Sequence, residues 1–274
     1  MRVPAALAPS PGRSSRALPA SLGLLALGAA ALLILPLVGL VLRTPWSQAS
    51  QLITSPAFVA ALRLSLVCSL AALVVSTLLG VPLAWVLARR EFPGKTLLRA
   101  LCVLPMVLPP VVGGVALLLA FGRRGVVGAP LLEATGFSLP FTTAGVVMAE
   151  VFVAMPFLVV TVEAALRALD RRYEDAAATL GASRWMIFRR VTVPNAAPAI
   201  VAGAVLCWAR ALGEFGATVT FAGNLQGRTQ TMPLAVFLTL ESDREAALAL
   251  SLMLIVVSLA VLVPMRDRWL ASAP

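Results

Sequence analysis

Uncharged runs long enough to cross a bilayer constrain this chain more than any other feature. Residues 17 to 42, 64 to 88 and 100 to 122 carry no charged side chain. A fourth run, 141 to 162, is broken only by Glu150. A fifth begins at Val191 and is expected to continue through Arg210 and Glu214 to about Asn224, and a sixth covers 246 to 265. A helix needs about 20 apolar residues to cross about 30 Å of hydrocarbon, whereas runs of about 10–14 belong to buried helices of soluble domains. The expected fold class is therefore an all-α integral membrane protein with six transmembrane helices. Composition agrees: 12 % of residues are charged, against about 25 % in soluble domains. There is no histidine, which removes His-based zinc sites and Ser-His-Asp triads. Cys68, Cys102 and Cys207 are odd in number and each lies in an apolar run, so they read as buried thiols rather than a disulfide framework.

The formal net charge of +10 is explained by topology. With the N-terminus in the cytoplasm, the inner segments hold 15 Lys and Arg: Arg2, Arg13 and Arg16; Arg89, Arg90, Lys95 and Arg99; six between Arg167 and Arg190; and Arg266 and Arg268. The opposite side holds 5: Arg43, Arg123, Arg124, Arg228 and Arg244. Cytoplasmic loops carry the excess of Lys and Arg, so both termini are expected inside a bacterial inner membrane. Anionic lipid, not nucleic acid, is the partner this charge implies. The first apolar run exceeds the ~7–15 residues of a signal-peptide core and reads as a retained anchor. The expected organisation is a disordered cytoplasmic N-terminus (1–16), an anchor helix with an outer loop (17–58), a core of five helices (59–265) and a cytoplasmic tail (266–274).

The inner segment from Leu166 to Pro194 reads as two short helices at an angle. Asp170, Glu174 and Asp175 lie early in the first, where the helix dipole favours acids. Gly181 sits where a C′ glycine ends a helix, and Ser183 is an N-cap candidate for the second. Tyr173, Ala177 and Leu180 share one face of the first helix, and Trp185 and Phe188 one face of the second. Such an amphipathic loop must cover its apolar face, either on its own membrane domain or the lipid interface, or on a partner protein.

At this point the residues resemble a known family. Asp175-Ala176-Ala177, three residues, Gly181, nine residues, Val191-x-Val193-Pro194 is similar to the Glu-Ala-Ala loop of ABC-importer permeases, with Asp for Glu and Val for Ile and Leu. The resemblance implies an importer-type permease bundle. Its coupling loop would hold Glu174, Asp175, Ala176, Ala177, Gly181, Trp185 and Pro194 and would dock on a separate ATP-binding subunit. Phe92-Pro-Gly-Lys95, Leu104-Pro-Met-Val-Leu-Pro-Pro-Val-Val-Gly-Gly114, Ala209-Arg-Ala-Leu-Gly-Glu-Phe-Gly-Ala-Thr218 and Thr229-Gln-Thr-Met-Pro-Leu234 resemble the molybdate-importer permeases. Sulfate permeases are close relatives, in which a Tyr-Gly-Ser-like stretch would stand at Phe215–Thr218. The resemblance implies molybdate import, with tungstate as an isostructural dianion, a homodimer, and capture by a periplasmic or lipid-anchored binding protein. No cofactor is implied. Gly94-Lys95-Thr96 ends like a P-loop, but position 89 is Arg where that motif needs Gly, so ATP hydrolysis is expected elsewhere.

Within the membrane, Arg210 and Glu214 are four residues apart on the expected fifth helix and so lie on one face. Two readings stand: a pair that fixes the helix in the bundle, or part of an anion path, since intramembrane charges pair or line cavities. Gly213, Gly216, Thr220 and Asn224 form a small, polar stripe with the same pair of readings, close helix packing or a neutral donor surface that binds an oxyanion weakly enough to release it. Thr218 joins the candidate path. Pro105, Pro109 and Pro110 predict a kink or a cavity lining, and Glu150 has no assigned role. A secondary transporter should show internal repeats and coupling carboxylates, for which Glu150 and Glu214 are thin support. An intramembrane enzyme lacks its catalytic groups.

Overall fold

The structure is a computed structural model that describes residues 20–270; the expected N-terminal segment 1–16 and the end of the tail (271–274) lie outside the described residues. Every regular element among the described residues is helical. The chain divides after Arg43. Before that point stands one helix, α1 (Ala20–Arg43), apolar along its length and with none of the described residues from Ser21 to Arg43 buried, as expected of a membrane span.

The second unit begins with a short helix, α2 (Trp46–Ile53), and a long one, α3 (Pro56–Arg89). Ser55 caps α3 by accepting from Phe58 N at 3.3 Å, and Pro56 occupies its first turn, the position where a missing N–H costs nothing. At 34 residues α3 is about 51 Å long. It starts well before the uncharged run that announced it and carries Arg63 within the helix. A tight turn follows, in which Lys95 donates to Glu91 at 2.6 Å and holds that exposed carboxyl below its usual range.

The expected third span is two helices, α4 (Lys95–Val107) and α5 (Pro110–Phe121), which corrects the reading of 100–122 as one. Leu108 and Pro109 are extended, with ψ of 138° and 131°. Each precedes a proline, whose ring drives the preceding residue out of the helical region. Pro105, by contrast, is accommodated inside α4. After α6 (Gly128–Thr135) comes α7 (Thr143–Ala168), capped by Thr142. Two short pieces follow, α8 (Arg172–Thr179) and α9 (Arg184–Ile187). A π-helical turn, Phe188–Thr192, then leads directly into α10 (Val193–Leu212).

The expected fifth span ends early. The chain leaves the helix at Gly213 and resumes it as α11 (Gly216–Phe221), so Gly213, Gly216, Thr220 and Asn224 do not lie on one continuous helix. Two further helices close the chain, α12 (Met232–Ser242) and α13 (Arg244–Leu270), with Asp243 extended between them and its carboxylate accepting from Ala246 N at 3.0 Å. The helical backbone runs to Leu270, past the point where a tail was expected. The expected all-α membrane fold is present, and the count of six spans is inexact: the apolar helices are long (α1, α3, α7, α10, α13) or short (α5 and α12).

The core is built around α7. Ala154, Leu158, Val159 and Val162 are fully buried, between α3 on one side and α10 on the other. Glycines permit the approach: a Cβ at Gly80 of α3 would stand 3.2 Å from Leu158, and one at Gly203 of α10 would stand 3.1 Å from the same side chain. Without an apolar solvent difference to drive association in lipid, such close packing through small residues holds helices together. At one end of α7, Glu163 accepts from Arg99 of α4 at 2.7 Å and from Arg167 at 3.0 Å, tying α4 to the bundle.

Candidate functional site

The loop between α7 and α10 is fixed to the bundle by one carboxylate. Glu174, in the first turn of α8, accepts from Thr192 Oγ1 at 2.8 Å and from Arg89 Nε at 3.3 Å. Arg89 is the last residue of α3, its side chain is 6 % exposed, and its Nη2 also donates to Leu169 O at 3.5 Å. Glu174 therefore joins three elements: α3, α8 and the π turn. Asp175, its neighbour, is exposed and makes neither of these bonds. The predicted local devices are present. Gly181 adopts φ +80° with Ala182 N bonding back to Ala177 O at 3.1 Å, a left-handed stop that favours glycine. Ser183 accepts from Met186 N at 3.2 Å, and Pro194 stands in the first turn of α10.

The loop's apolar residues divide between two surfaces. Phe188 packs edge-on against Trp85 of α3, with ring centroids 5.6 Å apart, and Trp185 stacks on Phe188 at 5.7 Å. On the other side Leu180 is 88 % exposed, with Tyr173 and Trp185 also open to solvent. Ala176 is exposed beside them and Ala177 half-buried. The loop thus packs some apolar side chains on the membrane domain and leaves others, Tyr173 and Leu180 among them, exposed.

A second polar group lies where α10 gives way to α11. Arg210 Nη2 stands 2.6 Å from Glu214 Oε2, an ion pair outside good hydrogen-bond alignment, with Glu214 1 % exposed and Arg210 27 %. The other carboxylate oxygen, Oε1, accepts from Ala217 N at 2.8 Å. Glu214 so pairs back to α10 and forward to α11, bridging the break. Glu150 of α7 is also buried, within electrostatic reach of Glu214, and its Oε2 has no hydrogen-bond partner among the described residues.

The small-residue stripe faces α5. A Cβ at Gly216 would stand 2.7 Å from Pro110 Cβ, and one at Gly114 would stand 2.6 Å from Thr220 Cβ. Thr220 Oγ1 donates to Gly216 O at 2.8 Å. Gly216 and Thr220 therefore sit in a helix contact with the hydroxyl already engaged. Thr218 is fully buried with its Oγ1 unpartnered, and Asn224 Oδ1 is likewise buried without a partner among the described residues. No cluster of His, Cys, Asp and Glu suited to a metal ion occurs among the described residues. Arg89 and Thr192 are the members of the loop assembly that sequence reasoning did not single out; Arg89 entered it only as a charge that orients the chain.

Residues 80–270 match the family described as binding-protein-dependent transport system inner membrane component. The molybdenum transport system permease protein ModB of Mycobacterium tuberculosis (strain ATCC 25618 / H37Rv) is 49 % identical over 234 residues, 85 % of this chain and 88 % of that protein. ModB of Escherichia coli (strain K12) is 41 % identical, covering 81 % of this chain and 96 % of its own length. The E. coli sulfate transport system permease protein CysT is 39 % identical, covering 91 % and 92 %. Among solved structures, a bacterial ABC transporter involved in the import of the acidic polysaccharide alginate superposes with a TM-score of 0.74 at 18 % identity, over 93 % of this chain and 96 % of that one. The MetNI methionine ABC transporter matches at 0.56 and 15 %, over 80 % and 95 %.

Proposed function

The chain belongs to the binding-protein-dependent transport system inner membrane components, ABC-importer permeases, and on that premise we propose that it translocates molybdate, with tungstate as an isostructural dianion. The observation that carries the substrate is the 49 % identity to a molybdenum permease over 85 % of the chain, ten points above the sulfate permease. The sulfate relative, matched over 91 % of the chain, makes sulfate the second reading.

In this reading two copies of the chain face one another, and each presents the loop from Leu166 to Pro194 to an ATP-binding subunit on the cytoplasmic side. Leu180, Tyr173 and Trp185 supply the apolar docking face, and Gly181 sets the angle between α8 and α9. Glu174, held by Arg89 and Thr192, makes the loop a rigid extension of α3 and α10, so that a movement imposed on α8 passes into the membrane. The charge count, 15 Lys and Arg against 5, supports cytoplasmic placement of this loop and of both termini. A binding protein on the opposite face would deliver the anion.

Desolvating a dianion in a dry channel costs many kcal/mol. The proposed path therefore uses Arg210, whose guanidinium stays partly exposed while Glu214 offsets its charge, and the neutral hydroxyl and amide groups of Thr218, Thr220 and Asn224 at and just beyond α11. Gly216 narrows that path by bringing α11 onto α5. A weak, nearly neutral lining suits a conduit that must release what it binds.

The test is labelled uptake in vesicles that hold the chain with its ATP-binding subunit and binding protein. ATP-dependent molybdate uptake that a tenfold excess of sulfate leaves intact is expected; preferential sulfate uptake would install the second reading. Reporter fusions after Arg172 and after Gly227 test orientation, with cytoplasmic and external signals expected respectively.

A further inference from the structure

Two adjoining cavities lie at the loop end of α3; Trp185 of the proposed docking face lines the first of them, and Tyr173 and Leu180 line neither. The first, about 350 Å³, is lined by Pro82, Trp85, Val86, Trp185 and Phe188, and its walls are almost wholly apolar. Its volume falls within the ~300–1,000 Å³ of small-molecule sites. The second, about 250 Å³, adds Arg89, Arg171, Glu174 and Asp175. Trp85, Arg90 and Arg184 belong to both, so an apolar slot and a basic one lie side by side across a shared wall.

The charges in the basic half do not cancel. Arg89 is taken up by Glu174. That leaves Arg90, Arg171 and Arg184, none of which has a carboxylate within ion-pair distance among the described residues, against the single carboxylate of Asp175. The Arg90 guanidinium lies over the Trp85 ring, 5.6 Å from its centroid. This places a cation on an aromatic face at the point where the apolar run of α3 ends, the depth at which Trp and Arg meet headgroups.

We propose that the two cavities form one binding site for an anionic phospholipid, an acyl chain in the slot between Trp85 and Trp185 and the phosphodiester among Arg90, Arg171 and Arg184. The complementarity is of both kinds at once. A free oxyanion would use the arginines and leave the apolar slot empty. A protein helix would use the slot and leave three cations without counter-charge. A lipid of net negative charge satisfies both halves. The bound lipid would brace Phe188 and Trp185, and through them the start of the π turn, against α3.

The experiment uses the chain assembled with its ATP-binding subunit in nanodiscs of equimolar phosphatidylglycerol and phosphatidylcholine, re-extracted and weighed by native mass spectrometry. Phosphatidylglycerol should be retained in preference to phosphatidylcholine. With about fivefold in affinity per arginine at a membrane surface, Arg90→Gln with Arg184→Gln should weaken that retention about 25-fold. In parallel, a photoreactive phosphatidylglycerol should label the wild-type chain within residues 82–90 and 184–188, a readout that does not require a folded variant. Equal retention of the two lipids, or labelling confined to other segments, overturns the proposal. So does displacement of phosphatidylglycerol by 10 mM inorganic phosphate or molybdate, which would mark a free-anion site. Retention of phosphatidylglycerol by the chain alone that is lost in the assembly with the ATP-binding subunit would mark a protein-docking surface and refute it equally.

Discussion

Replacing Glu174 by alanine removes the acceptor shared by Arg89 and Thr192 and leaves the Arg89 guanidinium, 6 % exposed, without a counter-charge. Breaking a buried ion pair by deleting one partner costs about 3–5 kcal/mol. The Glu174 side chain is 18 % exposed, and solvent at that edge screens the pair, so the cost here is about 2–3 kcal/mol. The bonds lost are those that hold α8 to α3 and to the π turn. The cost therefore falls on the orientation of the loop rather than on the α3–α7–α10 core. If the latched loop is the form that binds the ATP-binding subunit, affinity for that subunit falls by about 30- to 150-fold. Biolayer interferometry of the subunit on nanodisc-embedded chain measures this directly. Arg89→Ala combined with Glu174→Ala should bind better than Glu174→Ala alone, because the second change removes the stranded cation, and the cycle should give a coupling of about 2 kcal/mol. Binding of Glu174→Ala within twofold of wild type, with coupling below about 0.5 kcal/mol, would refute the idea that this carboxylate holds the loop in its working position.

Gly114→Ala places a methyl 2.6 Å from Thr220 Cβ and should push α5 away from α11, costing about 1–3 kcal/mol; a thermal midpoint unchanged from wild type would show that the two helices part freely. Thr218→Val removes a buried, unpartnered hydroxyl and should stabilise the chain by about 1 kcal/mol in thermal unfolding. A simultaneous fall in molybdate uptake would assign that hydroxyl to the anion path, and unchanged uptake would assign it to packing. Arg210→Ala should reduce uptake more than Arg210→Ala with Glu214→Ala, since the single change leaves Glu214 buried and unpaired; the reverse order would mean that Glu214 acts mainly through its bond to Ala217 N.

Local devices in this chain are legible from sequence because their causes are local. Gly181 and Ser183 are read correctly from their places relative to an amphipathic stretch, since each bonds within five residues of itself. Long apolar runs announce α1, α3 and α7 for a similar reason, that burial in lipid needs no partner segment. Counting apolar residues fails where backbone chemistry overrides it. Leu108-Pro109-Pro110 breaks a run that remains apolar throughout, and Gly213 ends α10 inside a run expected to continue. It fails also for α12, whose 11 residues are too few to register as a span although Met232 and Leu234 are fully buried. The roles of Glu174 and Asp175 are the hardest to tell apart. They are adjacent acids in one motif, and the partner that separates them, Arg89, lies 85 residues away. The stripe of Gly216 and Thr220 was visible, but the surface it meets on α5 was not, since no periodicity within one segment names its neighbour.

The π turn at Phe188–Thr192 holds one residue more than an α-helical turn would, and it stands immediately before α10. One residue of an α-helix corresponds to about 100° of rotation. The loop and the span it feeds are thus out of phase by a fixed amount, and it is in this offset alignment that Phe188 meets Trp85 while α10 keeps Gly203 against Leu158. Deleting a single residue from the turn would restore regular helix and swing Trp185 and Phe188 by about that angle about the axis of α10, without altering any side chain that makes a contact. Substitutions tune how firmly this loop is held, but its bearing relative to the membrane bundle is written in residue number, so insertions and deletions are the changes that would re-aim it.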